Sequence, residues 1–123
     1  MIRLVAALSM IALTVACVGP QAQRQQAQLT RGHEIAATNC ARCHAVERTG
    51  DSTLPEAPPF RTLSRHYRVD SLQEALAEGI SVGHPAMPQF QFAPDDVDAL
   101  IAYLQDIQDD HRRAGAPSAE SDR

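Results

Sequence analysis

The chain has 123 residues, with 11 cationic side chains that are all arginine against 15 acids, for a net charge of −4 with histidines neutral. That length supports one folded domain, and with no basic excess to suggest nucleic acid, no nucleic-acid partner is expected. A domain this small has a thin core and commonly needs a staple, a metal or a cofactor to complete it.

Residues 1–16 predict an export signal, with Arg3 as the positive start and Leu4 to Ala16 as a small-and-apolar run. The run is too short for a comfortable membrane span. It ends at Cys17, and Thr14-Val15-Ala16-Cys17 resembles a lipobox with Thr14 where Leu is usual. Two outcomes stay open: Cys17 is the lipidated first residue of the mature chain, or an A-x-A-type peptidase cuts near Ala16. Both predict a periplasmic location, with a lipid on Cys17 as the sole membrane attachment. Residues 17–28 are Gln-rich and predict a flexible tether, residues 29–110 the folded domain, and residues 111–123 a frayed tail.

Within the domain the apolar spacing is helical and no strand alternation of useful length occurs, so the fold class is all-α. Thr30 is the predicted N-cap of a helix through residue 39, with Ile35 and Ala36 inward. That helix runs into Cys40-Ala41-Arg42-Cys43-His44, a C-x-x-C-H pattern. This is the attachment site for a c-type haem. Two residues between the thiols let one turn present both sulfurs to the porphyrin vinyl groups as thioethers. His44 follows at once and offers its imidazole to the iron. A thiol-redox C-x-x-C needs a preceding strand, and zinc needs a fourth ligand at regular spacing; the sequence has neither. One covalently attached haem c is therefore expected.

The Pro-rich loop Leu54–Pro59 comes next. The carbonyl of Pro58 or Pro59 is expected to accept the second ring N–H of His44; otherwise these prolines only stiffen the loop. Phe60, Leu63 and Tyr67 predict a short helical segment, which carries Arg61, Arg65 and Arg68. One of these arginines pairs with a haem propionate, or all three are solvated. Ser71-Leu72-Gln73-Glu74 reads as a capping box opening a helix closed by Gly79. In the loop Gly83–Pro94, Met87 precedes Pro88 and so takes extended geometry, which can hold a thioether sulfur towards iron. Met87 is the predicted second axial ligand and His84 its weaker competitor; His33, His66 and His111 are read as surface residues. A His44/Met87 pair occupies both axial positions and favours electron transfer over catalysis. The last helix opens at Pro94 after a poor N-cap, Ala93, with a stripe of Val97, Leu100, Ile101, Leu104 and Ile107. Its acids, Asp95, Asp96, Asp98, Asp106, Asp109 and Asp110, face an arginine-bearing first half, a dipole that serves docking or only solubility.

The motif, Met87 and the terminal helices resemble class I cytochromes c over residues 31–108. Gly32, eight residues before Cys40, is similar to that family's N-helix glycine, and Tyr103 to its C-helix aromatic. The resemblance implies an all-α fold of helices and long loops wrapped around one haem, with those two helices crossing tightly. It also implies an electron carrier without a catalytic site of its own. The sequence departs from the family at Ala36, where a bulkier residue is common, and in lacking lysine, so docking through a lysine ring does not transfer. The expected function is a monomeric periplasmic carrier between redox proteins: a quinol-oxidising complex or dehydrogenase as donor, and a terminal oxidase as acceptor. The alternatives are a cytochrome subunit of a larger periplasmic oxidoreductase and, less favoured, a haem sensor or peroxidase-like protein with a displaceable sixth ligand.

Overall fold

The computed structural model of the chain describes residues 19–79 and 86–109. The expected signal, Cys17, His84, His111 and the expected tail lie outside these residues. The described part is all-α: helices α1 (Pro20–Asn39), α2 (Leu72–Glu78) and α3 (Pro94–Asp106), with two short 3-10 helices at Phe60–Arg65 and Val69–Ser71. None of the described helices is long and apolar enough to cross a membrane.

α1 begins ten residues before the predicted start. Pro20 occupies its first position, where a missing N–H costs nothing, and Gln, Ala, Arg and Leu propagate it. Residues 20–28, expected as a flexible tether, are thus the exposed opening turns of this helix. Thr30 is no cap; it lies mid-helix, and its Oγ1 donates to the Gln26 carbonyl at 2.9 Å. The predicted end at residue 39 and the burial of Ile35 and Ala36 hold.

Glycine inside a helix sacrifices roughly 1 kcal/mol of helix propensity, and α1 carries one at its contact with α3. A Cβ on Gly32 would sit 2.1 Å from the Ala99 carbonyl oxygen and 2.6 Å from the Tyr103 Cβ. The two backbones therefore meet directly, as the resemblance implied, and this crossing is the principal helix–helix contact. Tyr103 extends past it, and its hydroxyl donates to the Val46 carbonyl at 2.7 Å. His33 packs edge-on to that ring at 5.3 Å and pairs with Glu47, so it is no free surface residue.

The predicted α3 stripe is buried throughout, and its Leu100, Leu104 and Ile107 join Ile35, Ala36, Phe60 and Leu63 in one core. Ser71 makes no capping box. The preceding 3-10 turn already gives it helical backbone angles (φ −66°, ψ −14°), and its Oγ donates to the Arg68 carbonyl at 2.6 Å. Gly79, at φ +74°, closes α2 as predicted.

Folding sets three arginines beside acids that the sequence crowds towards the C-terminal end. Arg31 pairs with Asp96 and Arg48 with Asp106, both joining α3 to an earlier segment, and Arg65 pairs with Asp109 just beyond it. Arg68 pairs with Asp70, and Arg61 donates to the Gly50 carbonyl. Exposed pairs of this kind add little stability individually. Their effect is to fix which end of α3 lies beside which loop.

Gly32→Ala forces the helices apart and is expected to destabilise the folded protein by about 1–3 kcal/mol, the range for overpacking, read as a lower denaturant midpoint. Burial first, then Glu47 and Asp106 against an opposing Arg48, pushes the Tyr103 phenol up to about 12 from an ordinary 10. Above pH 10 the unfolded chain loses that proton while the folded chain keeps it, so stability is expected to fall as pH rises from 10 towards about 12. Tyr103→Phe should flatten this slope in denaturation curves taken across that range, leaving the contribution of Tyr67, whose phenol burial also raises.

Candidate cofactor site

At the end of α1 the chain does not straighten but tightens. The Cys40 N–H bonds to the Ala36 carbonyl at 2.9 Å, and the N–H groups of Cys43 and His44 both bond to the Cys40 carbonyl, at 3.1 and 2.9 Å. One turn therefore carries both thiols and the imidazole. Cys40 and Cys43 are half-buried and free, with no disulfide between them. Burial, with a smaller push from Cys43, raises the Cys40 thiol to about 11, so its sulfur is protonated at neutral pH. Cys40 also packs against the core, as do the partly buried Leu72, Leu76 and Phe92.

His44 is oriented by one hydrogen bond and one ring contact. Its Nδ1 lies 2.8 Å from the Pro58 carbonyl oxygen. A carbonyl only accepts, so Nδ1 carries a proton, and in the neutral ring that tautomer leaves the lone pair on Nε2. The Phe60 ring lies 4.9 Å away, tilted by 41°. Of the two carbonyls proposed from sequence, Pro58 alone reaches His44. Pro59 does not fill that role, because its carbonyl accepts from the Thr62 N–H at 3.0 Å and the Thr62 hydroxyl at 2.9 Å.

The loop that brings Pro58 back to His44 is tied at several points. The Leu54 N–H bonds to the Cys43 carbonyl at 3.1 Å, the Ala45 N–H to the Ser52 hydroxyl at 3.0 Å, and the Phe60 N–H to the Ala45 carbonyl at 2.9 Å. Gly50 turns the loop at φ +89°, the left-handed region that favours glycine. Sequence reading passed over Ser52 because a lone serine in a polar loop carries no periodic signal.

Met87 sits half-buried in a bend on the separate loop between α2 and α3, immediately before Pro88. That loop is joined to α2 by the Phe92 N–H, which bonds to the Leu76 carbonyl at 2.9 Å, and it stacks Phe90 on Phe92 at 5.7 Å. The arginines considered for propionate pairing are engaged elsewhere, as described above, while Arg42 is exposed.

This donor set fits a covalently held haem. Two free thiols on one turn offer the attachment sulfurs, and an imidazole whose Nδ1–H is already engaged offers Nε2 alone. A family model described as cytochrome c oxidase, cbb3-type, subunit III matches residues 27–104. No curated protein and no solved structure matches the chain. Replacing both thiols, Cys40→Ser with Cys43→Ser, should abolish haem staining on a denaturing gel. The unsubstituted protein should show an intact mass greater than the polypeptide by one haem.

Proposed function

The chain belongs to the family of cytochrome c domains described as cytochrome c oxidase, cbb3-type, subunit III, and from that premise we propose that it passes single electrons between redox proteins through a haem ligated by His44 and Met87. It is a haem-based electron-transfer domain with one covalently attached haem c. When bound, the haem supplies a one-electron iron couple and leaves no bond for the protein to make or break.

The observation that carries the reading is the His44 imidazole, held through Nδ1 by the Pro58 carbonyl, which leaves Nε2 as the ring atom free to meet a metal. The work of the chain is positional. Cys40 and Cys43 fasten the cofactor to the end of α1. His44 would donate to the iron from one face, and the Met87 thioether, carried in the bend before Pro88, would donate from the other. A soft sulfur ligand favours the reduced metal, and filling both axial sites shuts out small-molecule ligands. The core shared by α1 and α3 supports the attachment turn where Cys40 packs against it.

Two placements of this carrier follow. One is a periplasmic shuttle between a donor such as a dehydrogenase or quinol-oxidising complex and a terminal oxidase. The other is a resident cytochrome subunit of an oxidase, which the family description favours. Location outside the cytoplasm rests on the apolar segment 1–16, and tethering to the membrane on a lipid at Cys17.

Met87→Ala should retain covalent haem while lowering the reduction potential by a sizeable part of the roughly 0.8 V over which axial ligands tune haem. It should also allow carbon monoxide to bind the reduced protein. An unchanged potential would remove Met87 from the ligand set. Carbon monoxide binding by the unsubstituted reduced protein at neutral pH would favour the sensor or peroxidase-like reading instead. Gentle extraction of a tagged chain from its native membranes decides between the two placements. A subunit comes away with oxidase chains in fixed stoichiometry; a shuttle comes away alone.

A further inference from the structure

Gln108 is 1 % exposed, the one buried polar side chain among the described residues, and it lies just beyond α3 with no place in the site as described so far. Its amide is fully used. Nε2 donates to the Phe60 carbonyl at 2.7 Å and to the Leu104 carbonyl at 2.5 Å, and Oε1 accepts from the Ser64 N–H at 2.8 Å. Filling the core does not need these atoms, since a leucine of similar size has nothing to satisfy. What the amide adds is direction: it ties the end of α3 to both the first and the fifth residue of the 3-10 helix Phe60–Arg65.

The first of those residues is the one that touches His44. Phe60 lays its ring 4.9 Å from the imidazole, gives its N–H to the Ala45 carbonyl, and follows directly on Pro58-Pro59. Its carbonyl is held by Gln108. Phe60 is therefore fixed at its N–H from the His44 side and at its carbonyl from the α3 side. The Pro58 oxygen, two residues upstream on a proline-stiffened backbone, has little freedom left. The neighbouring Arg65–Asp109 pair, at 3.0 Å, closes the same joint from outside.

We propose that Gln108 is a positioning residue for His44: by pinning Phe60 and Ser64 it holds the Pro58 carbonyl against the imidazole Nδ1–H and so sets how strongly Nε2 donates. This rests on the assignment of His44 as an axial ligand. A firm Nδ1–H bond to a carbonyl makes the imidazole a more basic donor, which favours the oxidised metal. Loosening the clamp weakens that donation and shifts the reduction potential upward.

The test is made on the holoprotein with Gln108→Leu and Gln108→Glu, by redox titration and by NMR of the His44 ring protons. Gln108→Leu keeps the volume and removes all three bonds. It should retain covalent haem, shift the potential upward, move the His44 resonances and speed exchange of the Nδ1 proton with solvent. Gln108→Glu provides a rescue. While its buried carboxyl is protonated it can still donate to the Phe60 carbonyl, so the potential should match the unsubstituted protein at acid pH and depart from it as the carboxyl ionises. If Gln108→Leu does not accumulate folded, the Gln108→Glu pH series decides. Unchanged potential and unchanged His44 resonances in these variants, with only a lowered denaturation midpoint, overturn the proposal and leave Gln108 a stability residue. Failure of the ligand assignment is recognised separately: His44→Ala that keeps the spectrum and potential of the unsubstituted protein removes His44 from the iron, and the proposal with it.

Discussion

The direct approach of the α1 and α3 backbones at Gly32 and Ala99 governs the rest of the molecule. No side chain fits between them, so the helices are locked in register as well as in contact. One turn along α3, Tyr103 then reaches the Val46 carbonyl, two residues beyond His44. Five residues further, just beyond α3, Gln108 meets the 3-10 helix that starts at Phe60. A helix shifted by one residue would miss both partners. The crossing thus positions, from a distance, the two flanks of the loop that returns to the imidazole.

The same architecture explains how a small domain holds the His44 imidazole rigidly with few resources. The core is shallow, and Leu72, Leu76, Phe92 and Cys40 remain only partly covered where they meet it. Rigidity at His44 comes instead from a closed set of hydrogen bonds. The carbonyls of Cys43, Ala45 and Pro59 and the hydroxyl of Ser52 each have a partner inside the loop, which leaves the Pro58 carbonyl as the acceptor for Nδ1–H. Buried polar groups that are all satisfied restrict a loop to one arrangement.

Electrostatics play a quieter part. Sequence order separates arginines from the acids near the C-terminal end, but folding sets three such pairs side by side. Because each pair is exposed, the contribution is to alignment. Arg42, exposed on the attachment turn itself, is a cation that this folding does not draw into α3.

The pattern of residues alone determined the chemistry. C-x-x-C-H defines covalent attachment because thioether spacing and an adjacent imidazole are local constraints, met within five residues. The α3 stripe, the end of α1 and the Gly79 stop were legible for the same reason: helical periodicity and a left-handed terminus act over one or two turns. Local signals misled where two elements abut. The Ser71 box gives way to a 3-10 turn running straight into α2, and Thr30 resembles a cap because the Gln-rich helix formers before it share the composition of a polar linker. Only the tertiary structure decided that Pro58 and not Pro59 faces His44, that Arg65 meets Asp109, and that Gln108 grips Phe60. Each of these depends on segments up to 48 residues apart meeting with a definite register. Gln108 did lie on the helical continuation of the apolar stripe, four residues after Leu104, yet a polar residue there acquires meaning only when the carbonyl it binds is in place. Spacing specifies what a short segment can do, whereas hydrogen bonds between distant segments exist only after the backbones have packed.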